Sequence, residues 1–289
     1  MKRRRFLQVT AAALAMPNMA RAETVWHGVA LGADATLRLM GPSERAQAAL
    51  IGLASVLEKV EATFSLYRPS ELTALNAQGR ATPSSWLRQV VDLADRLHGL
   101  TEGAFDPSVQ PLWRALAEGR DPEAARAHVG WDRVQLAPDI ILNQGQALTF
   151  NGIAQGFATD LVRDHLARQG FDHALINIGE YAALGGPFHL GVADPLAGLL
   201  AEWTVRSGAL AVSSPFGTAL AGQAHILHPK GLSPLWSTVA VEADTAALAD
   251  GLSTALVFST AAQVATLKAA LPQVRRVALV DAAGNLETV

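Results

Sequence analysis

The chain has 289 residues, of which 50% are hydrophobic, so it is long enough to bury one large core or two smaller ones. Its formal net charge of −3 provides no basic field for a nucleic acid, which favours small molecules or proteins as partners. The absence of cysteine excludes disulfide bonds, thiolate catalysis and thiolate-bound zinc, so any metal must be held by oxygen or imidazole.

The first 22 residues carry the features of a cleaved export signal. The segment MKRRRFLQVTAAALAMPNMARAE combines a basic start, an apolar stretch and a small-residue cleavage site at Ala20-Arg21-Ala22. The run Arg3-Arg4-Arg5-Phe6-Leu7 favours the twin-arginine route for folded proteins, and an ordinary secretory signal with extra arginines is the alternative. Both predict a periplasmic mature protein of residues 23–289, in which no apolar run is long enough to span a bilayer.

Hydrophobic periodicity in residues 23–289 predicts a single domain of helices and strands. Strands are predicted at 24–31, 35–40, 133–136, 140–142, 147–150, 173–178, 189–192, 202–205, 210–213, 237–241 and 276–280. Helices are predicted at 43–60, 83–100, 245–258 and 261–270, and another follows residue 150. The segment SLYRPSELTALN is predicted to be a loop, and GAFDPSVQPLW is too rich in proline for a regular strand. These elements indicate an α+β fold with mixed sheets and packed helices.

The segment TFNGIAQGFATDLV, residues 149–162, places two glycines at a predicted strand-to-helix turn. Gly152 and Gly156 are interpreted in one of two ways: they make the turn and allow close packing, or they expose backbone groups at a helix N-terminus that attracts phosphate. The spacing fits neither the dinucleotide-binding fingerprint nor the P-loop. These glycines alone therefore do not indicate a nucleotide fold.

The predicted helix TAALADGLSTALVF is apolar nearly all round from Ala246 to Phe258. Its polar residues there, Asp250, Ser253 and Thr254, share one face because they are spaced at i, i+3 and i+4. A buried carboxylate needs a partner. Asp250 either faces solvent or an arginine, or it holds a hard cation such as Mg²⁺ together with Thr254.

Two histidines in QAHILHPK, His225 and His228, have the spacing of a zinc pair, but no third ligand supports zinc. A G-x-S-x-G motif is absent, so a serine hydrolase with a nucleophile elbow has no support either.

Eight segments, taken in order, resemble the motifs of the ApbE family, the FAD:protein FMN transferases. They are FSLYRPSELTALN, GAFDPSVQPLW, VGWDRVQL, TFNGIAQGFATD, ALINIG, LGVADP, AHILHPK and STVAVEADTAALADGLSTAL. The resemblance covers most of residues 23–289 and implies a single ApbE-like, T-fold-like domain. It also implies a periplasmic, Mg²⁺-dependent enzyme that cleaves FAD and links FMN to a Thr or Ser hydroxyl of a partner flavoprotein in a respiratory or redox system.

The same resemblance implies where FAD is contacted. The family's M-G-T turn resembles 31–33, F-S-x-Y resembles 64–67, G-x-F-D-P resembles 103–107 and D-L-G-G-I-A-K-G resembles 149–156. The expected contacts are Leu31, Tyr67, Ala104, Phe105, Asp106 and Thr149.

It also implies a metal site and a base. The Gly152 carbonyl, with Asp250 and Thr254 of the A-D-A-x-x-T motif, is expected to bind Mg²⁺ on the FAD pyrophosphate. His225, which matches the histidine of H-I-x-D-P-R-T-G, is expected to be the base for the acceptor hydroxyl. Gly156 is expected to keep the helix start uncrowded beside the cofactor.

The chain departs from the family pattern near the flavin and the phosphates. The departures are Thr149 for an acidic residue, Asn151 for glycine, Gln155 for lysine, Glu180 for the second glycine of N-x-G-G, Ser214 for glycine, and several residues in 228–232. Two other functions are therefore weighed: a non-catalytic factor that binds or delivers FAD, and a FAD pyrophosphatase.

Overall fold

The computed structural model describes residues 23–289, so the predicted export signal lies outside the described residues. The helices are α1 (Ser43–Phe64), α2 (Glu71–Gln78), α3 (Ser85–Leu100), α4 (Gln110–Ala117), α5 (Pro122–Arg126), α6 (Ala154–Arg168), α7 (Ala246–Leu256) and α8 (Ala261–Ala270). The strands are β1 (Glu23–Ala30), β2 (Ala33–Met40), β3 (Arg80–Ala81), β4 (Ile140–Ile141), β5 (Ala174–Asn177), β6 (Tyr181–Leu184), β7 (Phe188–Asp194), β8 (Gly198–Val205), β9 (Gly208–Ser213), β10 (Ala219–Leu220), β11 (Gln223–Ala224), β12 (Thr238–Ala243), β13 (Val274–Val280) and β14 (Leu286–Thr288).

Eight of these strands form one sheet in the order β1-β2-β5-β6-β9-β12-β13-β14. The strands β7 and β8 pair separately as a hairpin. Every strand pair within residues 23–289 is antiparallel. The sheets therefore differ from the mixed sheets that the sequence indicated. The α+β class and the single domain with packed helices are confirmed.

The two faces of the large sheet are covered by different elements. On one face, Ile176 and Val241 belong to the main core, which the helices complete. On the other face, Leu210 and Ala240 pack against the β7–β8 hairpin in a second, smaller core. Because side chains alternate along a strand, each residue of the central strands faces either the helices or the hairpin.

Two predicted strands are wrong. At 147–150, the Leu148 N–H and carbonyl bond the Asn76 side chain at 2.7 and 2.9 Å, and the Thr149 N–H donates to the Pro107 carbonyl at 2.8 Å. The segment is thus satisfied by a side chain and a loop, not by a neighbouring strand. At 133–136, a 3₁₀ turn over Trp131–Arg133 replaces the start of the strand, and Gln135 makes only an isolated bridge to Ile141.

Two segments for which the sequence predicted no helix contain one. The predicted loop SLYRPSELTALN includes α2, which begins at a capping box between Ser70 and Thr73 and buries Leu72 and Leu75. The proline-rich segment after α3 leads into α4, whose first turn accommodates Pro111 because the early N–H groups of a helix need no intrahelical partner. Within residues 23–289, no helix has both the length and the apolar character needed to cross a membrane.

Candidate active site at the junction of α6 and α7

The start of α6 lies against the backbone of α7. A Cβ at Gly156 would lie 2.6 Å from the Ala246 carbonyl carbon and 2.8 Å from Ala247 Cα, so only glycine fits this approach. The close-packing interpretation of Gly156 is therefore confirmed, with a helix as its neighbour. The expectation that Gly156 leaves the helix start uncrowded is wrong, because α7 fills that space.

This approach brings the Gly156 N–H to the Asp250 carboxylate, whose Oδ2 accepts it at 2.9 Å. In a continuous helix this N–H would donate to the carbonyl four residues earlier, which belongs to Gly152. Within residues 23–289, the Gly152 carbonyl accepts no hydrogen bond. The Asp250 contact thus leaves a backbone oxygen free beside α7.

Asp250 is buried, with 4% of its surface exposed, and no basic residue in 23–289 pairs with it. The alternative in which it faces solvent or an arginine is therefore wrong. Burial raises the pKa of Asp250 to about 7, with the Gly156 N–H opposing this rise and the Asp160 charge adding to it. In the described part of the chain Oδ1 accepts no hydrogen bond, so one carboxylate oxygen is available.

Thr254 lies one turn after Asp250 and meets the other glycine. A Cβ at Gly152 would lie 3.0 Å from Thr254 Oγ1, so the turn before α6 packs directly on this hydroxyl. Ser213 at the end of β9 contacts Thr254 Oγ1 at 3.4 Å and Ser253 Oγ at 2.8 Å. The structure therefore brings Gly152, Asp250 and Thr254 together, as the family resemblance implied, and their binding of a metal stays a prediction.

These donors fit a hard cation. A carboxylate, a hydroxyl and a backbone carbonyl are the oxygen ligands that Mg²⁺ prefers, and Mg²⁺ usually keeps further positions for water and phosphate oxygens. Residues 23–289 contain no group of three or more histidine, aspartate or glutamate side chains arranged for a metal. This donor set would thus leave several positions of a bound Mg²⁺ to water or substrate.

Asp160 fixes the position of α7. Its two carboxylate oxygens accept the N–H groups of Ala246 and Ala247, each at 2.9 Å, at the N-terminus of α7. Arg163, one turn along α6, pairs with the same carboxylate at 3.1 Å. The N-terminus of α7 is thereby fastened to α6, which holds Asp250 against Gly156.

The segment 104–107 joins this junction through Thr149, whose N–H bonds the Pro107 carbonyl. Ala104 is half-buried and Phe105 is buried. The Asp106 carboxylate accepts hydrogen bonds from the Ser108 N–H and hydroxyl at 2.7 and 2.6 Å and from the Trp131 N–H at 3.3 Å. Its side chain therefore holds the loop in shape, and any contact of Asp106 with FAD remains a prediction.

The other two predicted FAD contacts lie near α1. The N–H of Leu31, in the β1–β2 turn, donates to the Glu61 carboxylate of α1 at 2.7 Å. Tyr67 is 76% exposed and lines a surface pocket of about 470 Å³ with residues of the α1–α2 loop and α2. No described contact joins Leu31 or Tyr67 to Asp250 or Thr254, and their roles remain predictions.

His225 has a defined hydrogen-bonding pattern. Its Nδ1 lies 2.8 Å from the Pro215 carbonyl and 3.2 Å from the Thr218 carbonyl. Because both neighbours only accept, Nδ1 must carry the proton, which leaves Nε2 as the acceptor in the neutral ring. Burial lowers the pKa of His225 below 6.5, although the two carbonyls act in the opposite direction. The ring is thus neutral at pH 7 and suited to accept a proton.

Sequence reasoning missed several residues at this junction. It assigned no role in the site to Ser213, Asp160 or Glu180. Ser213 and Asp160 bond residues of α7, and the Glu180 carbonyl accepts a hydroxyl of α6. The signal for Ser213 was available, because it continues the alternation of Ala209 and Ala211 on the helix-facing side of β9.

The structure thus defines an α+β domain in which α7 and the turn before α6 carry oxygen donors suited to a hard cation. The loop after β11 carries His225, and no described contact joins His225 to these donors. A family model described as the ApbE family matches residues 31–277. The chain therefore belongs to the ApbE family.

Two relatives and two solved structures show the extent of this similarity. The FAD:protein FMN transferase of Vibrio cholerae serotype O1 (strain ATCC 39541 / Classical Ogawa 395 / O395) is 34% identical over 148 residues, which are 45% of this chain and only 44% of that protein. The FAD:protein FMN transferase of Klebsiella pneumoniae (strain 342) is 26% identical over 237 residues, 73% of each chain.

The flavin transferase ApbE structure from Vibrio cholerae matches with a TM-score of 0.80 at 23% identity, over 93% of this chain and 96% of that one. The ApbE protein of Thermotoga maritima MSB8 matches with a TM-score of 0.82 at 20% identity, over 92% and 96%. The two structures support the fold.

Proposed function

We propose that this protein is a FAD:protein FMN transferase that moves FMN from FAD to a Thr or Ser hydroxyl of a partner flavoprotein with the help of Mg²⁺. The observation that carries the proposal is the convergence of Gly152, Asp250 and Thr254 at the α6–α7 junction in a chain of the ApbE family. The relatives named FAD:protein FMN transferase support the same activity.

The residues of the site would divide the work as follows. Gly152, Asp250 and Thr254 hold Mg²⁺, which when bound neutralises charge on the FAD pyrophosphate. Nε2 of His225 accepts the proton of the acceptor hydroxyl as its oxygen attacks the phosphorus of the FMN half. A new P–O bond forms, the pyrophosphate P–O bond breaks, and AMP leaves with that bonding pair. The α6–α7 packing keeps the metal donors in place throughout.

Three outcomes of one experiment distinguish this function from the alternatives. The mature protein is incubated with FAD, Mg²⁺ and an acceptor domain, and the flavin products are separated. Transfer yields FMN linked to the acceptor together with AMP. Free FMN with AMP indicates a pyrophosphatase, and intact FAD indicates a binding or delivery factor; either would overturn the proposal.

His225→Asn tests the base. Its amide N–H₂ can replace the Nδ1–H bond to the Pro215 carbonyl, but it has no basic atom in place of Nε2, so the transfer rate should fall by about 100-fold or more. Because burial lowers the pKa of His225 and the protonated ring cannot accept a proton, the parent rate should fall at a more acidic pH than for an ordinary histidine base. Stopped assays between pH 5 and 8, within the range in which histidine titrates, would measure both effects.

The control for this substitution is His189→Asn. His189 lies on β7 in the hairpin and pairs with Glu202, and we expect its replacement to leave the rate unchanged. Equal rates for the parent and His225→Asn would remove His225 from the proposed chemistry, and an unchanged FAD affinity would show that the site is intact.

We place the mature protein in the periplasm, exported by the twin-arginine route, with an acceptor flavoprotein of a respiratory or redox system as its partner. Replacing Arg3 and Arg4 by lysine preserves the positive charge, which an ordinary secretory signal needs, but removes the arginine pair. The precursor should then remain in the cytoplasm. Cell fractionation that finds the variant matured in the periplasm would contradict the twin-arginine assignment.

A further inference from the structure

Glu180 occupies an unusual position for a carboxylate. It immediately precedes β6, in the loop between β5 and β6, and is 9% exposed. Because side chains alternate along a strand, Glu180 lies on the same side as Ala182, which belongs to the helix-facing core. On β9, the strand that pairs with β6, Ala211 faces the same core. The Glu180 carboxylate thus lies beside alanines on the face of the sheet that α6 and α7 cover.

The contacts of Glu180 leave its charge uncompensated. Its Oε2 accepts the Val212 N–H at 3.2 Å, and its backbone carbonyl accepts the Thr159 hydroxyl of α6 at 3.2 Å. Its Oε1 accepts no hydrogen bond from residues 23–289, and no lysine, arginine or histidine among them pairs with it. A carboxylate buried to this extent is costly without a counter-charge, and a cation that reaches Oε1 would supply one.

Among residues 23–289, Asp250 is likewise a buried carboxylate with one oxygen that accepts no hydrogen bond and with no basic partner. Val212 precedes Ser213, whose hydroxyl contacts Ser253 and Thr254 on the face of α7 that carries Asp250. The Thr159 hydroxyl that donates to the Glu180 carbonyl lies one turn after Gly156, whose N–H donates to Asp250, so both carboxylate residues pack against the same turn of α6. Two buried carboxylates, each with one free oxygen and neither with a basic partner, repel each other when both are ionised. A divalent cation between them removes both penalties at once.

We propose that Glu180 supplies a second carboxylate to the cation site formed by Gly152, Asp250 and Thr254. The inference rests on the metal site of the proposed function. It adds a donor at a position where the N-x-G-G motif has glycine and this chain has Glu180. With two carboxylates, the site carries enough negative charge to balance a divalent ion without help from a substrate phosphate. The protein therefore binds Mg²⁺ before FAD arrives.

Binding of Mg²⁺ alone tests the inference. Glu180→Gln keeps the size of the side chain and an oxygen for the Val212 N–H but removes the charge. Calorimetry with Mg²⁺ and no flavin should show affinity weakened by about 10- to 100-fold, and the rise in unfolding temperature on adding Mg²⁺ should shrink accordingly. Without Mg²⁺, the variant should unfold no earlier than the parent, because the like-charge repulsion is gone.

Two further variants keep the result interpretable. Glu180→Asp retains a carboxylate and should bind Mg²⁺ more tightly than Glu180→Gln. Glu242→Gln removes another buried glutamate of the same sheet, one that pairs with Arg276, and should lower stability while leaving the Mg²⁺ response unchanged.

The inference is overturned if Glu180→Gln binds Mg²⁺ as the parent does, or if the parent does not bind Mg²⁺ without FAD. It is also overturned if Glu180→Gln behaves like Glu242→Gln, with lower stability and an unchanged Mg²⁺ response. None of these results decides whether the protein transfers FMN. That is tested separately, by measuring FMN linked to the acceptor after incubation with FAD.

Discussion

Replacing Asp250 with asparagine is expected to lower the rate of Mg²⁺-dependent FMN transfer by about 1,000-fold. Charge stabilisation by a bound metal contributes several kcal/mol, and each 1.36 kcal/mol changes a rate about tenfold. The asparagine oxygen can still accept the Gly156 N–H, and a buried charge is removed, so the variant should fold at least as stably as the parent. Transfer rates over a Mg²⁺ series and a urea unfolding curve measure the two effects.

Asp244→Asn is the control for this experiment. Asp244 lies just before α7 and pairs with Arg275 at 2.8 Å on the surface, so its replacement should change the rate by less than about twofold. If Asp250→Asn responds to Mg²⁺ as the parent does, the metal assignment is wrong, and the main argument for an enzyme at this junction is lost.

Replacing Gly156 with alanine should destabilise the protein by about 3 kcal/mol, near the upper end for overpacking, because the new methyl group would meet the backbone of Ala246 and Ala247, which cannot rotate away. The helices α6 and α7 would have to separate, and the Gly156 N–H would move away from Asp250. Mg²⁺ affinity should therefore fall together with stability. Chemical denaturation and calorimetry on the same preparation would measure both.

Gly99→Ala is the matched control. Gly99 is exposed near the end of α3, and a Cβ there would meet no atom within 4 Å. Alanine should stabilise this helix by up to about 1 kcal/mol. A Gly156→Ala variant as stable as the parent would mean that the α6–α7 contact is looser than the structure has it.

The polar face of α7 could be predicted because it depends on one local rule. Asp250 and Thr254 are four residues apart in an otherwise apolar helix, so the spacing alone placed them on one face. Whether Asp250 was buried stayed open until the structure showed it 4% exposed. The sequence could not say what faced them. That depended on Gly156 and Gly152 approaching from a helix about 100 residues earlier, a tertiary contact for which only the family resemblance gave a hint.

The wrong strand at 147–150, the missed helix α2 and the missed role of Glu180 each have an identifiable structural cause. The apolar residues of 147–150 suggested a strand, but Leu148 obtains its backbone hydrogen bonds from the side chain of Asn76, which periodicity does not reveal. The helix α2 was missed although Ser70 and Thr73 form a capping box, because eight residues after a proline show little periodicity. Glu180 was noted only as a departure from a motif, since its burial depends on the β6–β9 pairing.

The hydrogen bond between Gly156 and Asp250 spans 94 positions of the chain, and this separation has a consequence for biosynthesis. A ribosome that has completed α6 has made only the Gly152 carbonyl, while Asp250 and Thr254 are still to be synthesised. Contacts so distant in sequence form late in folding, because the intervening loop must be closed before they contribute. The nascent chain therefore lacks the full set of oxygen donors proposed for the cation until α7 leaves the exit tunnel and docks on α6.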